Sequence, residues 1–285
     1  MFAIAGVTGH TGAVVAETLL SKGQKVRAIV RRAEKGAEWK KRGAEVAVAD
    51  LGDVAALTRA LTGVTAAFLL SPPNPAAADF LADRTALIGN MAKAVTASGL
   101  KRLVFLSSVA AQHPAGTGPI VTAHRAEQAF RALVPSVTFV RAASFLENWG
   151  SVVPAAKAQG VLPHFGPVDV RFPQVSTKDI GAAVVHALLT PADGAKVVEL
   201  AGKEDWSAQD VAAALSTLLG RAVQAVSAPV EGAKAGLLQA GLPESMATLY
   251  AEMYAGMGKG LVTFERPGAV TRGVTSLVDA LRPLV

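Results

Sequence analysis

Cysteine is absent from all 285 residues, which rules out disulfides, thiolate nucleophiles and zinc held by thiolates. Tyrosine is nearly absent: Tyr250 and Tyr254 are the only two. Histidine is sparse and scattered (His10, His113, His124, His164, His186), with no pair at the spacing by which a helix face holds a metal, so no metal site is expected. Long apolar runs are missing as well, because charges, glycines or prolines interrupt every apolar segment before it reaches bilayer length. The N-terminus lacks a basic region followed by an apolar core and a small-residue cleavage site. These absences predict a soluble chain of the reducing cytoplasm with no membrane partner.

Charge is present but unevenly placed. The chain carries 28 basic and 22 acidic residues, and its densest basic cluster (Arg31, Arg32, Lys35, Lys40, Lys41, Arg42) occupies one short segment. That concentration suits a single phosphate rather than a nucleic-acid surface, so no nucleic-acid partner is expected. The length allows one large α/β unit or a main domain with a smaller lobe.

Strand-like and helix-like segments alternate through the first half, as in βαβ units around a parallel sheet. Phe2 to Ala5 is a short unbroken apolar run, as expected of a strand buried on both faces, and Ala13 to Lys22 follows with helical spacing up to Gly23. Further strands are predicted at Val26–Val30, Glu45–Val48, Thr65–Leu70, Arg102–Leu106 and Val137–Val140. Helices are predicted at Asp53–Leu61, Ala76–Ser98 and Thr122–Leu133, with Asp53 as an N-cap and Gly99 as a C-cap. After Arg141 a run of prolines and glycines marks a crossing into a second lobe. Thr177–Leu189 reads as a helix returning to the sheet and Lys196–Leu200 as its last strand; from Ser207 onward the pattern is mostly helical. The expected organisation is a Rossmann doubly wound parallel sheet over residues 1–149, with a smaller, mostly helical substrate lobe over 150–285, of which 175–200 returns to the sheet.

The chemistry starts at Gly6-Val7-Thr8-Gly9-His10-Thr11-Gly12. A strand that delivers three glycines into a helix is the setting in which such a turn binds a dinucleotide. Gly6 permits the tight turn, Gly9 lets backbone N–H groups approach a diphosphate, and Gly12 lets the helix pack closely on the strand. The helix N-terminus adds partial positive charge, and the hydroxyls of Thr8 and Thr11 add donors. At the end of the second strand a carboxylate would select the ribose 2′-hydroxyl, whereas a cation accommodates a 2′-phosphate. Here Arg31-Arg32 stands in that place. Arg31, alone or with Arg32 or Lys35, therefore argues for NADP(H) over NAD(H). Asp50 follows the third strand, placed to meet an adenine amino group, while Leu70 and Ser71 follow the fourth and border the crevice; Ser71-Pro72-Pro73 reads equally well as a stiff turn.

Several stretches resemble the NmrA-like family of atypical short-chain dehydrogenases/reductases: GVTGHTG, VRAIVRR, VADLGD, LVFLSS, VRAASFLENW, VSTKDIGAAVVHALL and VELAGKEDWSAQDVAAALSTLLGR. The resemblance implies a Rossmann core, NADP(H) binding and a lobe that closes over the nicotinamide. It also implies that Phe145 packs beside the nicotinamide and that Asn148 faces the cleft, although Ala142 replaces the family's usual proline. Phe145 and Trp149 fit a core role equally. Similar proteins include quinone reductases, triphenylmethane reductases and non-catalytic cofactor sensors, and membership alone does not choose among them.

One departure narrows the choice. Dehydrogenases of the Tyr/Lys type protonate the carbonyl oxygen from a tyrosine with a lysine four residues on. The helix after the fifth strand reads Thr122-Ala123-His124-Arg125-Ala126-Glu127-Gln128, and the two tyrosines lie far from it in sequence with no lysine at the required spacing. An electron-poor acceptor needs no such pair, because it delocalises the charge that hydride brings. The expected activity is NADPH-dependent reduction of a small aromatic or conjugated substrate such as a quinone; a non-catalytic NADP(H)-binding redox sensor is the alternative, and oligomerisation is left open. His124 is the one nearby group of suitable proton affinity, against a plain solvated helix residue, and Ser107 or Ser108 is placed to contact the nicotinamide ribose or the substrate. NADPH is expected to bind this protein more tightly than NADH, with Arg31→Ala losing about tenfold of that margin. Equal dissociation constants for the two cofactors, measured by titration, would refute the assignment of Arg31.

Overall fold

The computed structural model describes residues 1–190 and 192–285. The first half alternates strictly: β1 (Phe2–Ile4), α1 (His10–Ser21), β2 (Val26–Val30), α2 (Ala37–Lys41), β3 (Glu45–Val48), α3 (Val54–Leu61), β4 (Ala66–Leu70), α4 (Phe80–Ser98), β5 (Arg102–Ser108), α5 (Val121–Phe130) and β6 (Ser136–Ala142). The second half is more broken: β7 (Ser144–Phe145), α6 (Val153–Gln159), β8 (Val161–Phe165), β9 (Phe172–Val175), α7 (Thr177–Leu189), β10 (Gly194–Ala201), β11 (Asp205–Trp206), α8 (Ala208–Leu219), β12 (Gln224–Ala228), α9 (Ala233–Gln239), α10 (Glu244–Gly258), β13 (Thr271–Arg272) and α11 (Leu277–Leu281). Among the described residues no helix is long and apolar enough to cross a membrane.

The main sheet has eight strands in the order β13-β10-β6-β5-β4-β1-β2-β3, and every pairing in it is parallel. The expected doubly wound sheet is therefore present. The order in which strands are added reverses between β1 and β4, which places the switch-point crevice at their carboxyl ends. Period-two alternation splits β5 between the two faces: Val104 joins a core with α1 and α7, while Leu103 and Phe105 join one with α3, α4 and α5.

Local signals hold at most helix ends. Asp53 caps α3 by accepting from the Ala56 N–H at 3.0 Å. Gly99 and Gly220 end their helices in the left-handed conformation, and Ser207 with Asp210 forms a reciprocal capping box at the start of α8. Helix α4 starts later than the alanine run predicts, at Phe80, because the Asp79 side chain accepts from the Ala82 N–H and fixes the start there. Two strand expectations need correction. The strand expected at Lys196–Leu200 runs longer, as β10, and it is not the last of the sheet, since the two-residue β13 pairs along its outer side. The C-terminal part also contributes β12, which pairs with β8 in a small parallel sheet. Strands of two residues, or strands held mainly by a distant partner, carry too little periodicity to be read locally.

A buried ion network fixes the far half of the main sheet. Arg141 on β6 and Glu127 on α5 are 3% and 1% exposed, and Arg141 grips both Glu127 oxygens at 2.8 Å through Nε and Nη2. Its Nη1 donates to Glu265 at 2.6 Å. Glu199 on β10 completes the set by accepting from the backbone N–H groups of Glu265 and Arg266 at 2.8 and 2.9 Å. Burial works against the Arg141 charge, but the bonds to Glu127 and then Glu265 outweigh it and hold its pKa above the ordinary guanidinium value. Replacing Arg141→Met leaves buried Glu199 without a cation and buried Glu127 with only the partly exposed Arg131 at 3.5 Å, and a loss of about 3–5 kcal/mol in unfolding free energy is expected from urea titration. A loss under about 1 kcal/mol would show that water takes over the role of the guanidinium.

Candidate functional site

At the end of β1 the chain turns through Gly6, whose φ of +70° lies in the left-handed region. Its hydrogen position faces Leu70 from β4, close enough that a Cβ there would stand 2.7 Å from a Leu70 methyl. At Gly12 a Cβ would run into the backbone of Gly6 and Ala5. Helix α1 thus approaches its strand as closely as backbone allows, and its axis begins at the crevice. Gly9 is the N-cap, with no side chain closing the end. The first helical bond runs from the Ala13 N–H to the Gly9 carbonyl at 3.1 Å; among the described residues, the N–H groups of His10, Thr11 and Gly12 meet no acceptor. Open N–H groups on a twelve-residue helix are a ready anion site. Thr8 and His10 are exposed beside them, and Thr11 is buried.

The other candidate residues follow along the same sheet edge. Asp50 lies just past β3, Arg31 just past β2, Leu70 and Ser71 at the end of β4, Ser107 near the end of β5, and Phe145 three residues past β6. With neighbouring strands about 4.8 Å apart, six adjacent strand ends span roughly 24 Å, enough for an extended dinucleotide. Arg31 is exposed and makes no ion pair among the described residues, whereas Arg32 is paired with Glu34 at 3.1 Å and Arg42 with Glu17 and Glu38. Asp50 gives one oxygen to its own turn, accepting from the Gly52 N–H at 2.8 Å. The Ser71 hydroxyl is buried with no partner, an arrangement that costs free energy unless a ligand supplies one. The glycine cradle, the open N–H groups and the orphaned Ser71 hydroxyl all fit a dinucleotide. Phe145 is half-buried against the β1-side core, and Trp149 packs instead with the lobe core.

The two acid–base candidates make no hydrogen bond to each other. Alternation along β5 turns Ser107 towards α5, where its hydroxyl donates to Glu127 at 2.6 Å inside the Arg141 network. His124 uses Nδ1–H to donate to the Ala111 carbonyl at 2.9 Å. Its ring lines a polar cavity of about 410 Å³ with Gln112, Glu127, Arg131, Arg141 and Glu265. Ala195 and Val197 of β10 also line that cavity, so it lies over the sheet face beside α5. His113 sits half-buried in the loop after β5, within 3.3 Å of the Gln112 amide. That loop begins at Ala110, which is fully buried and, among the described residues, the one non-glycine with positive φ, at +66°. Such strain costs of order 1 kcal/mol and marks a backbone held by its surroundings.

Other residues of the region escape a reading of the sequence. Glu147 accepts from the Thr177 N–H at 2.9 Å and its hydroxyl at 2.6 Å, tying the segment after β6 to the start of α7; nothing in the local pattern separates it from a surface acid. Helix α10 is the larger omission. It packs on the short turn Gly118–Ile120 that leads into α5, and a Cβ at Gly118 would run into the Leu249 carbonyl. The helix that carries Tyr250 and Tyr254, far from α5 in sequence, is therefore brought by the fold against the turn that leads into α5.

Against known proteins, the model of the NmrA-like family matches residues 1–266. An NAD(P)H azoreductase of Xenophilus azovorans is 30% identical over 90% of this chain and 86% of its own length. Quinone oxidoreductase 2 of Escherichia coli is 30% identical over 91% and 89%. The solved structure of the NADPH-dependent quinone oxidoreductase from Escherichia coli, complexed with NADPH, superposes with a TM-score of 0.82 at 28% identity, covering 100% of this chain and 99% of that one. Because the Ser71 hydroxyl has no protein partner to lose, Ser71→Ala is expected to leave the melting temperature unchanged while weakening NADPH binding about threefold to tenfold. Unaltered affinity by calorimetry would remove Ser71 from the site.

Proposed function

Because the chain belongs to the NmrA-like family, we propose that it is an NADPH-dependent reductase of small electron-poor acceptors, with quinones as the leading class. The observation that carries this reading is the row of dinucleotide-type residues along adjacent strand ends, centred on a helix whose first three N–H groups are open. In this reading the turn from Gly6 through Thr8, Gly9, His10 and Thr11 to Gly12 holds the diphosphate, and Arg31 meets the 2′-phosphate. Asp50 takes the adenine amino group with its second oxygen. Leu70, Ser71 and Phe145 border the nicotinamide half. The relatives named as NAD(P)H azoreductase and quinone oxidoreductase support both the cofactor and the acceptor class.

NADPH, when bound, supplies the hydride that no side chain can. The protein's own part is to orient the two reactants and exclude water, which suffices for an acceptor that spreads incoming charge over a conjugated system. Ser107 is not assigned proton transfer, since its proton is held by Glu127; His124 keeps Nε2 unengaged, but its ring lines the cavity beside α5 rather than the row of strand ends, and no role in proton transfer is assigned to it. A polar acceptor oxygen still gains from a donor aimed at it, and the sheet edge itself offers few.

Purified protein is expected to oxidise NADPH on addition of quinones, read as loss of absorbance at the dihydronicotinamide band, with azo dyes and conjugated enones as comparison acceptors. Tight NADPH binding with no turnover on any of them would replace this reading by the non-catalytic sensor.

A further inference from the structure

Helix α10 packs against the segments that follow β4 and β5. Ser245 near its start donates to the Ala77 carbonyl in the loop after β4, at 3.3 Å. Met246 and Leu249 form a small core with Phe80 at the head of α4. Further along, Glu252 accepts from the Gly116 N–H in the loop after β5 at 2.9 Å. Helix α10 thus bridges the two segments that follow β4 and β5. In a doubly wound sheet the first three strands serve one mononucleotide and the next three the other, so α10 covers the half opposite to Arg31 and Asp50.

Both tyrosines of the chain stand on this helix at an i,i+4 spacing, which puts them on one face. Tyr254 packs its ring against Phe165 of β8, with centroids 5.4 Å apart. Tyr250 packs against the Phe80, Met246 and Leu249 core. Both rings are half-buried and held, yet neither hydroxyl bonds any group among the described residues. The rings are packed while the hydroxyls are not among the buried unpartnered polar atoms, so each stays reachable and free to donate to a ligand. Burial pushes both phenol pKa values up, that of Tyr254 further through the neighbouring Tyr250, so both keep their protons and stand ready as donors.

We propose that the hydroxyls of Tyr250 and Tyr254 donate hydrogen bonds to the oxygen atoms of a quinone-type acceptor, making α10 the substrate-recognition face of the site. The proposal rests on the reductase reading above. It gives the site the donors that the missing Tyr/Lys pair would have supplied, from a different element and without a lysine. Such donors act where negative charge collects on the oxygen as hydride arrives, which is where a fixed hydrogen bond contributes most. They also distinguish an acceptor that carries oxygens from one that does not.

The test compares the unmutated protein with Tyr250→Phe, Tyr254→Phe and the double variant, all full-length. Each change removes a hydroxyl with no protein partner, so folding is expected to survive, and the melting temperature and NADPH dissociation constant serve as controls. Two readouts decide: kcat/KM for 1,4-benzoquinone with NADPH, and calorimetric binding of hydroquinone to the protein saturated with NADP+. The double variant is expected to lose at least about tenfold in both, with both controls unmoved. Values within about threefold of the unmutated protein in both readouts would overturn the tyrosine assignment and leave the reductase reading standing. An unmutated protein that neither oxidises NADPH with the quinone nor binds hydroquinone would overturn the reductase reading, and this proposal with it.

Discussion

The guanidinium of Arg141 is the point on which the second half of the molecule hangs. A buried cation must be neutralised where it stands, and the groups that do so come from three separate parts of the chain: Glu127 on α5, Glu265 after α10, and Glu199 on β10, the last 3.7 Å away. Glu199 in turn holds the backbone at Glu265 and Arg266. One side chain therefore links α5, the sheet and the irregular segment that leads to β13.

At the other end of the sheet the controlling constraint is steric. Helix α1 reaches its place only because positions 6 and 12 have no side chain, and the closeness of that packing leaves three N–H groups aimed outward with nothing to satisfy them. Electrostatics and geometry agree there on an anion. Around it the sheet edge is poor in acid–base groups: Ser107 is drawn into the Arg141 network and His124 is tied to the loop after β5. A crevice built in this way favours chemistry that needs placement more than proton transfer.

Much of this was legible in the order of residues. A buried parallel strand has to be apolar on both faces, a tight βα turn has to be glycine, and a helix end is fixed by the residue that caps it; all three are local demands, so Phe2 to Gly12, the cap at Asp53 and the helix Thr177–Leu189 could be read directly. The basic pair after β2 could be found in the same way, but not that Arg32 would be drawn to Glu34 while Arg31 stayed open. Strand β5 was read correctly as an element, while the burial of Ser107 against Glu127 depended on which way one residue of the strand faced.

The sequence alone therefore determined the alternating sheet, the glycine turn and the class of ligand the turn suits, because each follows from sterics and hydrogen bonding within a few residues. Tertiary structure alone decided what surrounds that ligand. The two tyrosines count as absent when read by distance along the chain from α5, yet the helix that carries them is packed on the Gly118 turn leading into α5. Contacts between segments so far apart in the chain are set by how buried charge and apolar surface are satisfied over the whole fold, and no local pattern encodes that.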